Sequence, residues 1–273
     1  MDIGIFAKTF PGQSPATVLA AARDAGFDGV QYNMACSGLD AMPAVIAPAE
    51  AAAVAQAATA CHQQIFAVSA TWNMIHPDPA VRRLGHQRLA TIAASAAAMG
   101  TRLITLCTGT RDAADQWRHH PDNATPGAWA DLLASFETAI AIADQHDILL
   151  GVEPELANVV NNAASARRLI DQIGSPRIRI VLDPANLFER ASAAEQRDLI
   201  ARAVDLLADR IAMAHAKDRA PDGGFATAGT GVIDFKNFLQ CLDNSGFSGP
   251  IVTHGLSAEE AAGTAAFLRG LLA

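Results

Sequence analysis

The sequence predicts a single (β/α)₈ barrel, an α/β fold in which residues 1–273 form one domain. Three observations support this class. The length of 273 residues is close to the roughly 250 residues that such a barrel needs. Short apolar runs alternate with helical segments at a spacing of about 30 residues, which is the period of a strand–helix pair. No stretch has the Pro/Gly-rich or polar composition of a linker between domains.

The first half of the chain contains four predicted strand–helix pairs. Ser14 is a suitable N-cap with Pro15 at the first helical position, and Gly26 and Gly100 end their helices. The predicted strands are Ile3–Phe6, Gly29–Asn33, Ile65–Thr71 and Leu103–Cys107, and the predicted helices are Ser14–Ala25, Ala49–Gln63, Asp78–Met99 and Pro126–His146.

The second half repeats this alternation four more times. The predicted apolar strands are Ile148–Val152, Ile178–Leu182, Ile211–Ala214 and Pro250–Thr253. A helical segment separates the first two, and the remaining helices are Ala193–Leu207, Asp234–Ser245 and Ser257–Leu272. A Gly-rich stretch, DGGFATAGTG, precedes the second of these and is predicted to be a loop.

Composition and charge exclude several classes of protein. Hydrophobic residues make up 51% of the chain, which is enough for a large core, and the net charge of −8 argues against a nucleic-acid binder. No run approaches the ~18 consecutive apolar residues of a transmembrane helix, and the N-terminus lacks the pattern of a signal peptide. We therefore expect a cytoplasmic protein that binds no membrane, with Cys36, Cys61, Cys107 and Cys241 as reduced, mostly structural thiols.

Each of the four strands in the second half ends in a residue that can bind a metal. The residues are Glu153, Asp183, His215 and His254, separated by 30, 32 and 39 residues. Parallel neighbouring strands bring their carboxyl ends to the same edge of a barrel, so the four side chains should converge over its mouth. Two carboxylates at close range repel each other unless a cation or a proton lies between them.

The mixed oxygen and nitrogen donors predict a divalent metal ion. We expect Mn²⁺ first, with Zn²⁺, Co²⁺ or Mg²⁺ as alternatives. Taken alone, a carboxylate at a strand end is often a cap or a salt-bridge partner, and His254 is equally compatible with a buried, hydrogen-bonded histidine. Four such residues on four consecutive strands favour the metal site.

Several motifs resemble the sugar phosphate isomerase/epimerase superfamily, which has the xylose isomerase-like barrel. They are GVEPE, VLDPANLF, AHAKD and the closing GTGVIDF…LDNSGFSGPIVTHG, with NMIHPD and LCTGT earlier in the chain. The resemblance implies metal ligands at Glu153, Asp183 and His215, and barrels of this family often form homo-oligomers. It also implies a glutamate on strand eight, which shares proton transfer with the strand-five glutamate in ketose epimerases.

The chain departs from the family pattern at two positions. His254 occupies the place of the strand-eight glutamate, so it is expected to be either a metal ligand or an acid/base group. Asn186 stands where many relatives have a substrate-binding histidine, and it can hydrogen-bond but cannot titrate.

Further residues near the strand ends are candidates for substrate binding. Lys217 follows His215 by two residues and is expected to hold a substrate hydroxyl or to stabilise an enolate, while Glu155 follows Glu153 in the same way. Beyond strands three and four, Trp72 and His76 suit a sugar ring and Arg111 suits an anionic group.

We interpret two histidines that follow strand four as solvated. His119 and His120 lie in the long polar loop Thr108–Thr125, where an exposed imidazole is the plainer interpretation.

The sequence therefore predicts a metal-dependent isomerase or epimerase whose partner is a small carbohydrate-like molecule. Glu153 would be ligand and base, with His254 or Lys217 on the other face of a sugar, polyol or related hydroxy-carbonyl compound. The alternative is a metal-dependent lyase or dehydratase acting on a keto-sugar or inosose-like substrate. An endonuclease of the related barrel family and a non-catalytic sugar-binding protein are further alternatives, the former disfavoured by the acidic charge.

Overall fold

The computed structural model describes all 273 residues and shows a closed barrel of eight parallel strands. Every strand pairs with its neighbours in the chain, and β8 closes the barrel on β1 through the pair Ile3 and Ile251. The strands are β1 Ile3–Phe6, β2 Gly29–Tyr32, β3 Gln64–Ser69, β4 Leu103–Cys107, β5 Leu149–Glu153, β6 Ile178–Leu182, β7 Ile211–Ala216 and β8 Ile251–Thr253. The predicted fold class is confirmed.

Eight helices surround the barrel, and their ends follow the predicted caps. The Ser14 hydroxyl accepts the Thr17 N–H at the start of the first helix, and Gly100 ends the third in the left-handed conformation. The helices are α1 Pro15–Asp24, α2 Pro48–Cys61, α3 Pro79–Met99, α4 Pro126–His146, α5 Ala163–Ile173, α6 Ala193–Leu207, α7 Phe235–Asn244 and α8 Ala261–Leu272. A membrane-spanning helix is not found among them, since none combines sufficient length with sufficient hydropathy.

An apolar layer fills the interior of the barrel beneath the four predicted ligand positions. Side chains alternate between the two faces of a strand, so Met213 lies below His215, and Val181 lies below Asp183 on the same inner face. These residues form a buried cluster together with Ala67, Leu103 and Val252. The polar residues at the carboxyl ends of the strands therefore lie directly above this apolar layer, which we call the apolar floor of the barrel.

Two glycines in this floor make room for one aromatic ring. A Cβ atom on Gly4 or on Gly29 would lie 2.8 Å from the ring of Phe66. The ring occupies the space that side chains from β1 and β2 would otherwise fill, and it helps to close the amino-terminal end of the barrel.

A small antiparallel hairpin follows β7, and its second strand lies within the Gly-rich stretch that the sequence predicts to be a loop. It pairs Asp218–Arg219 with Phe225–Ala226. The fully buried Asp218 carboxylate accepts N–H groups from Gly229, Gly231 and Ile233 at 2.9–3.1 Å. Strands of two residues are too short to produce a periodic pattern, so the sequence could not predict this hairpin.

Candidate metal centre and active site

The four predicted ligands come together at the carboxyl ends of β5–β8. One ligand atom from each of Glu153, Asp183, His215 and His254 lies within 4.8 Å of the others. His215 Nδ1 is 3.1 Å from Glu153 Oε1, and His254 Nε2 is 3.2 Å from Asp183 Oδ2. The strand topology is the cause, because Glu153 ends β5, Asp183 and His254 follow β6 and β8, and His215 is the last residue but one of β7.

Burial and charge govern the protonation of this cluster. Burial opposes ionisation of Asp183, but the hydrogen bond and charge of His254 outweigh it, and the pKa of Asp183 is lowered. Burial and the neighbouring His215 lower the pKa of His254. Burial also disfavours a charged His215, yet the carboxylate of Glu153 raises the pKa of that imidazole. An ionised Asp183 and a neutral His254 are the protonation states that bind metals.

The donor set fits a divalent cation. Two carboxylates lie close together in this group of four side chains, and no lysine or arginine forms an ion pair with either Glu153 or Asp183. Their only ion-pairing partners are the imidazoles of His215 and His254. Oxygen and imidazole donors without thiolate suit Mn²⁺, Zn²⁺, Co²⁺ or Mg²⁺.

A buried glutamine orients one of the imidazoles. Gln31 Oε1 lies 2.9 Å from His215 Nε2, and Gln31 Nε2 donates to the Thr105 hydroxyl at 3.0 Å. Gln31 was not among the predicted site residues. Its only signal was its place in β2, where the alternation of side chains turns it toward the barrel interior.

Asn186 joins the two glutamates of the EPE motif. Its Nδ2 donates to Glu153 Oε1 at 2.9 Å and to Glu155 Oε1 at 3.3 Å. Burial, and next the charge of Glu153, raise the pKa of Glu155 to about 8. Asn186 therefore contacts the candidate ligand Glu153 directly.

The cluster lies at the inner end of a cavity of about 870 Å³, which Glu153, His215 and His254 line while Asp183 is buried. Six of the predicted site residues line it, namely Glu153, Glu155, Asn186, His215, Lys217 and His254. Residues that the sequence analysis did not select also line it, including Lys8, Gln31, Asn33, Trp117, Arg118, Glu189, Arg219 and Phe225. His119 is at the cavity wall as well, although we interpreted it as a solvated loop residue.

Trp72 does not line the cavity, although we expected its ring to contact a sugar. The residue is buried, and its ring packs edge-on against His86 of α3, with ring centroids 5.5 Å apart. Gly85 leaves the space for the indole, because a Cβ atom there would overlap it.

His76 and Arg111 also lie outside the cavity wall. His76 Nε2 contacts the Ala113 carbonyl at 3.1 Å. The Arg111 guanidinium donates to the Ile75 carbonyl and pairs with Asp131. Both side chains connect the loop after β3 to the loop after β4, and Arg111 also connects the latter to α4 through Asp131.

Comparison with known proteins supports the fold that these residues build. Comparison with curated protein sequences gives no match. The structure resembles 3-keto-D-glucoside 4-epimerase YcjR from E. coli, with 17% identity, 99% of each chain covered and a TM-score of 0.79. It also resembles D-allulose 3-epimerase from Methylomonas sp. in complex with D-allulose, with 18% identity, 99% of this chain and 96% of that one covered, and a TM-score of 0.72.

A third similar structure is, by its name, that of a dehydratase rather than an epimerase. It is the probable 3-DHS dehydratase AsbF from Bacillus anthracis, with 12% identity, 98% of this chain and 99% of that one covered, and a TM-score of 0.75. At these identities the three structures establish the fold. The family model of the xylose isomerase-like TIM barrel matches residues 19–271, and the chain belongs to that family.

Proposed function

We propose that the protein is a divalent-metal-dependent epimerase or isomerase of a sugar, polyol or related hydroxy-carbonyl compound. The observation that carries this proposal is the convergence of Glu153, Asp183, His215 and His254 within 4.8 Å at the inner end of a large cavity. Two of the three similar structures are sugar epimerases by name, which supports the same reaction class.

The four residues of the cluster would hold the metal, with Mn²⁺ as the leading candidate. When bound, the ion would polarise a substrate carbonyl and make the neighbouring C–H group acidic. We assign His254 to this ligand set because its Nε2 faces Asp183 inside the cluster. Our expectation allowed an acid/base role for His254 as well, and the metal content and deuterium exchange of a His254→Ala variant distinguish the two roles.

Glu153 is the proposed base. The two contacts to its carboxylate, with Asn186 Nδ2 and with His215 Nδ1, both involve Oε1. Oε2 has no hydrogen-bond partner in the chain, and because Glu153 lines the cavity, this oxygen would accept the proton next to the substrate carbonyl.

Lys217 is the proposed second proton-transfer group. It lines the cavity, and its ammonium group contacts the Phe225 ring, 3.2 Å from the centroid, and no carboxylate, so it would turn from the ring toward the substrate. Glu155 and Asn186 would bind substrate hydroxyls, because both side chains border the same space as Glu153.

The test combines metal analysis with solvent deuterium exchange. Purified protein is analysed for metal, supplied with Mn²⁺, and incubated in D₂O with D-fructose, D-allulose and methyl and phenyl 3-keto-β-glucosides. Incorporation of one solvent deuterium without a change of composition is the expected result. The Glu153→Gln variant should lose this exchange, whereas the exposed surface variant Glu137→Gln should keep it. Full exchange by Glu153→Gln would remove the proposed base.

A lyase is the second candidate. It is favoured by His254 at the position of a family glutamate, together with a dehydratase among the similar structures. Removal of the same proton followed by loss of a β-hydroxyl group would release water. The mass of the product distinguishes the two reactions, since epimerisation preserves the composition of the substrate and dehydration does not.

A further inference from the structure

We propose that Trp117 and Phe225 form an outer subsite at the cavity mouth that binds the second ring of a glycoside. The substrate would then be a keto-sugar that carries a sugar or aryl substituent, rather than a free monosaccharide. This inference rests on the proposed function for the sugar at the inner end of the cavity.

The two aromatic rings are exposed to solvent at the rim of the cavity. Trp117 is 51% exposed and Phe225 is 52% exposed, and they are the only aromatic residues among the seven exposed large hydrophobic ones. Both line the cavity, whereas the five exposed aliphatic residues lie elsewhere. Large apolar side chains left in water at a cavity rim commonly mark a binding surface.

The Phe225 ring is held in place before any ligand arrives. Lys217 Nζ lies 3.2 Å from its centroid and Arg219 Cζ lies 4.0 Å from it. Arg219 is itself fixed, since it donates to the carbonyls of Ala185 and Gly223 at 2.7 Å. The ring therefore keeps one position although half of its surface meets solvent.

Hydrogen bonds to the Asp112 carboxylate hold the loop that carries Trp117. The Asp112 carboxylate accepts the N–H groups of Ala114 and Asp115 at 2.9 Å, and Arg118 donates to it at 2.8 Å. The Trp117 N–H donates to Asp115 at 2.9 Å. Because this loop is already ordered, a ligand that binds the exposed indole loses little free energy to ordering the loop.

The size and polarity of the cavity match a substrate of two rings. At about 870 Å³ it lies at the upper end of the ~300–1,000 Å³ range of drug-sized pockets, and one hexose fills only part of it. Its inner end carries the charged cluster, and its outer part combines the two aromatic rings with Arg118, His119 and Glu189. A flat apolar surface beside hydrogen-bonding groups suits the faces and hydroxyls of a sugar ring.

The test compares pairs of probes that differ by one ring. The pairs are methyl and phenyl 3-keto-β-glucoside, and D-fructose and lactulose, each titrated by calorimetry into the full-length Mn²⁺-supplied protein. We expect the larger member of at least one pair to bind more tightly. Trp117→Ala and Phe225→Ala should each weaken that member roughly five- to tenfold and leave the smaller one unchanged. Trp117→Phe should keep most of the affinity, and Leu84→Ala, an exposed residue outside the cavity, should have no effect.

Three results would overturn the outer subsite. They are equal affinity within both pairs, absence of binding of every probe, and a Trp117→Ala protein that changes its oligomeric state while its affinities stay constant. The last result would make the aromatic pair a subunit interface. Deuterium exchange separates this inference from the proposed function. Exchange into the larger probes that both variants leave unchanged would overturn only the subsite, whereas ring-dependent binding without any exchange would overturn only the proposed epimerase.

Discussion

Gln31 accepts a hydrogen bond from His215 because Thr105 fixes which end of its amide faces the imidazole. Gln31 Nε2 donates to the Thr105 hydroxyl, so Oε1 is the atom that lies 2.9 Å from His215 Nε2. A carbonyl oxygen can only accept, and Nε2 must therefore carry the imidazole proton. The lone pair of Nδ1 is left on the side of Glu153, where the metal would bind.

We predict that Gln31→Leu weakens Mn²⁺ binding by about 10- to 100-fold, because the nonpolar side chain no longer fixes the tautomer of His215. Isothermal titration calorimetry measures the affinity, and ¹⁵N NMR of the metal-free protein reports the tautomer. Gln31→Glu keeps an acceptor and should retain most of the affinity. If the Gln31→Leu protein kept both the His215 tautomer and the Mn²⁺ affinity, Gln31 would contribute only to packing.

We predict that His254→Ala loses most of the bound metal, since it removes one of the four donors of the cluster. Elemental mass spectrometry of the purified protein measures the metal content per chain. His119→Ala is the matched control, because His119 lines the same cavity but lies outside the cluster. Metal retained by His254→Ala together with lost deuterium exchange would instead make His254 an acid/base group.

We predict that Gly85→Ala destabilises the protein by about 1–3 kcal/mol, because the added methyl group would overlap the Trp72 indole. Gly263→Ala, in a helix where nothing lies within 4 Å of the new atom, should be neutral or stabilising by up to about 1 kcal/mol. Urea denaturation measures both free energies of unfolding. Equal stability of the two variants would contradict the described packing of Trp72.

We predict that Cys241 reacts first with iodoacetamide at pH 8. Burial raises the pKa of Cys36 to about 11 and raises that of Cys107 further, so little thiolate forms at either buried site. Burial also raises the pKa of Cys241, but this thiol is only partly buried and the reagent can reach it. Peptide mass spectrometry after short labelling identifies the modified residue, and the urea-unfolded protein should label at all four cysteines. Early labelling of Cys107 would contradict its burial.

The positions predicted best from the sequence were those fixed by strand periodicity. Glu153 and Asp183 end apolar runs, and the parallel topology alone brings them together with His215 and His254. Trp72 and Arg111 could not be oriented in this way, because they follow strands in loops where no period decides which side a residue faces.

Other site residues were hidden because they depend on long-range packing. Gln31 and His215 are separated by 184 residues, and only the closed barrel makes them neighbours. Phe225 lies in a two-residue strand that pairs with Asp218–Arg219, and the Asp218 carboxylate in turn accepts hydrogen bonds from N–H groups later in the chain. A single sequence does not reveal such contacts.

The apolar floor of the barrel has a kinetic consequence. Met213, Val181 and Phe66 close the interior beneath the ligand cluster, so molecules enter and leave the cavity only at its mouth. The product must depart before the next substrate can reach the cluster, because both use one passage. Product inhibition should accordingly be competitive, and a viscous solvent that slows departure through the mouth should lower turnover whenever release is the slowest step.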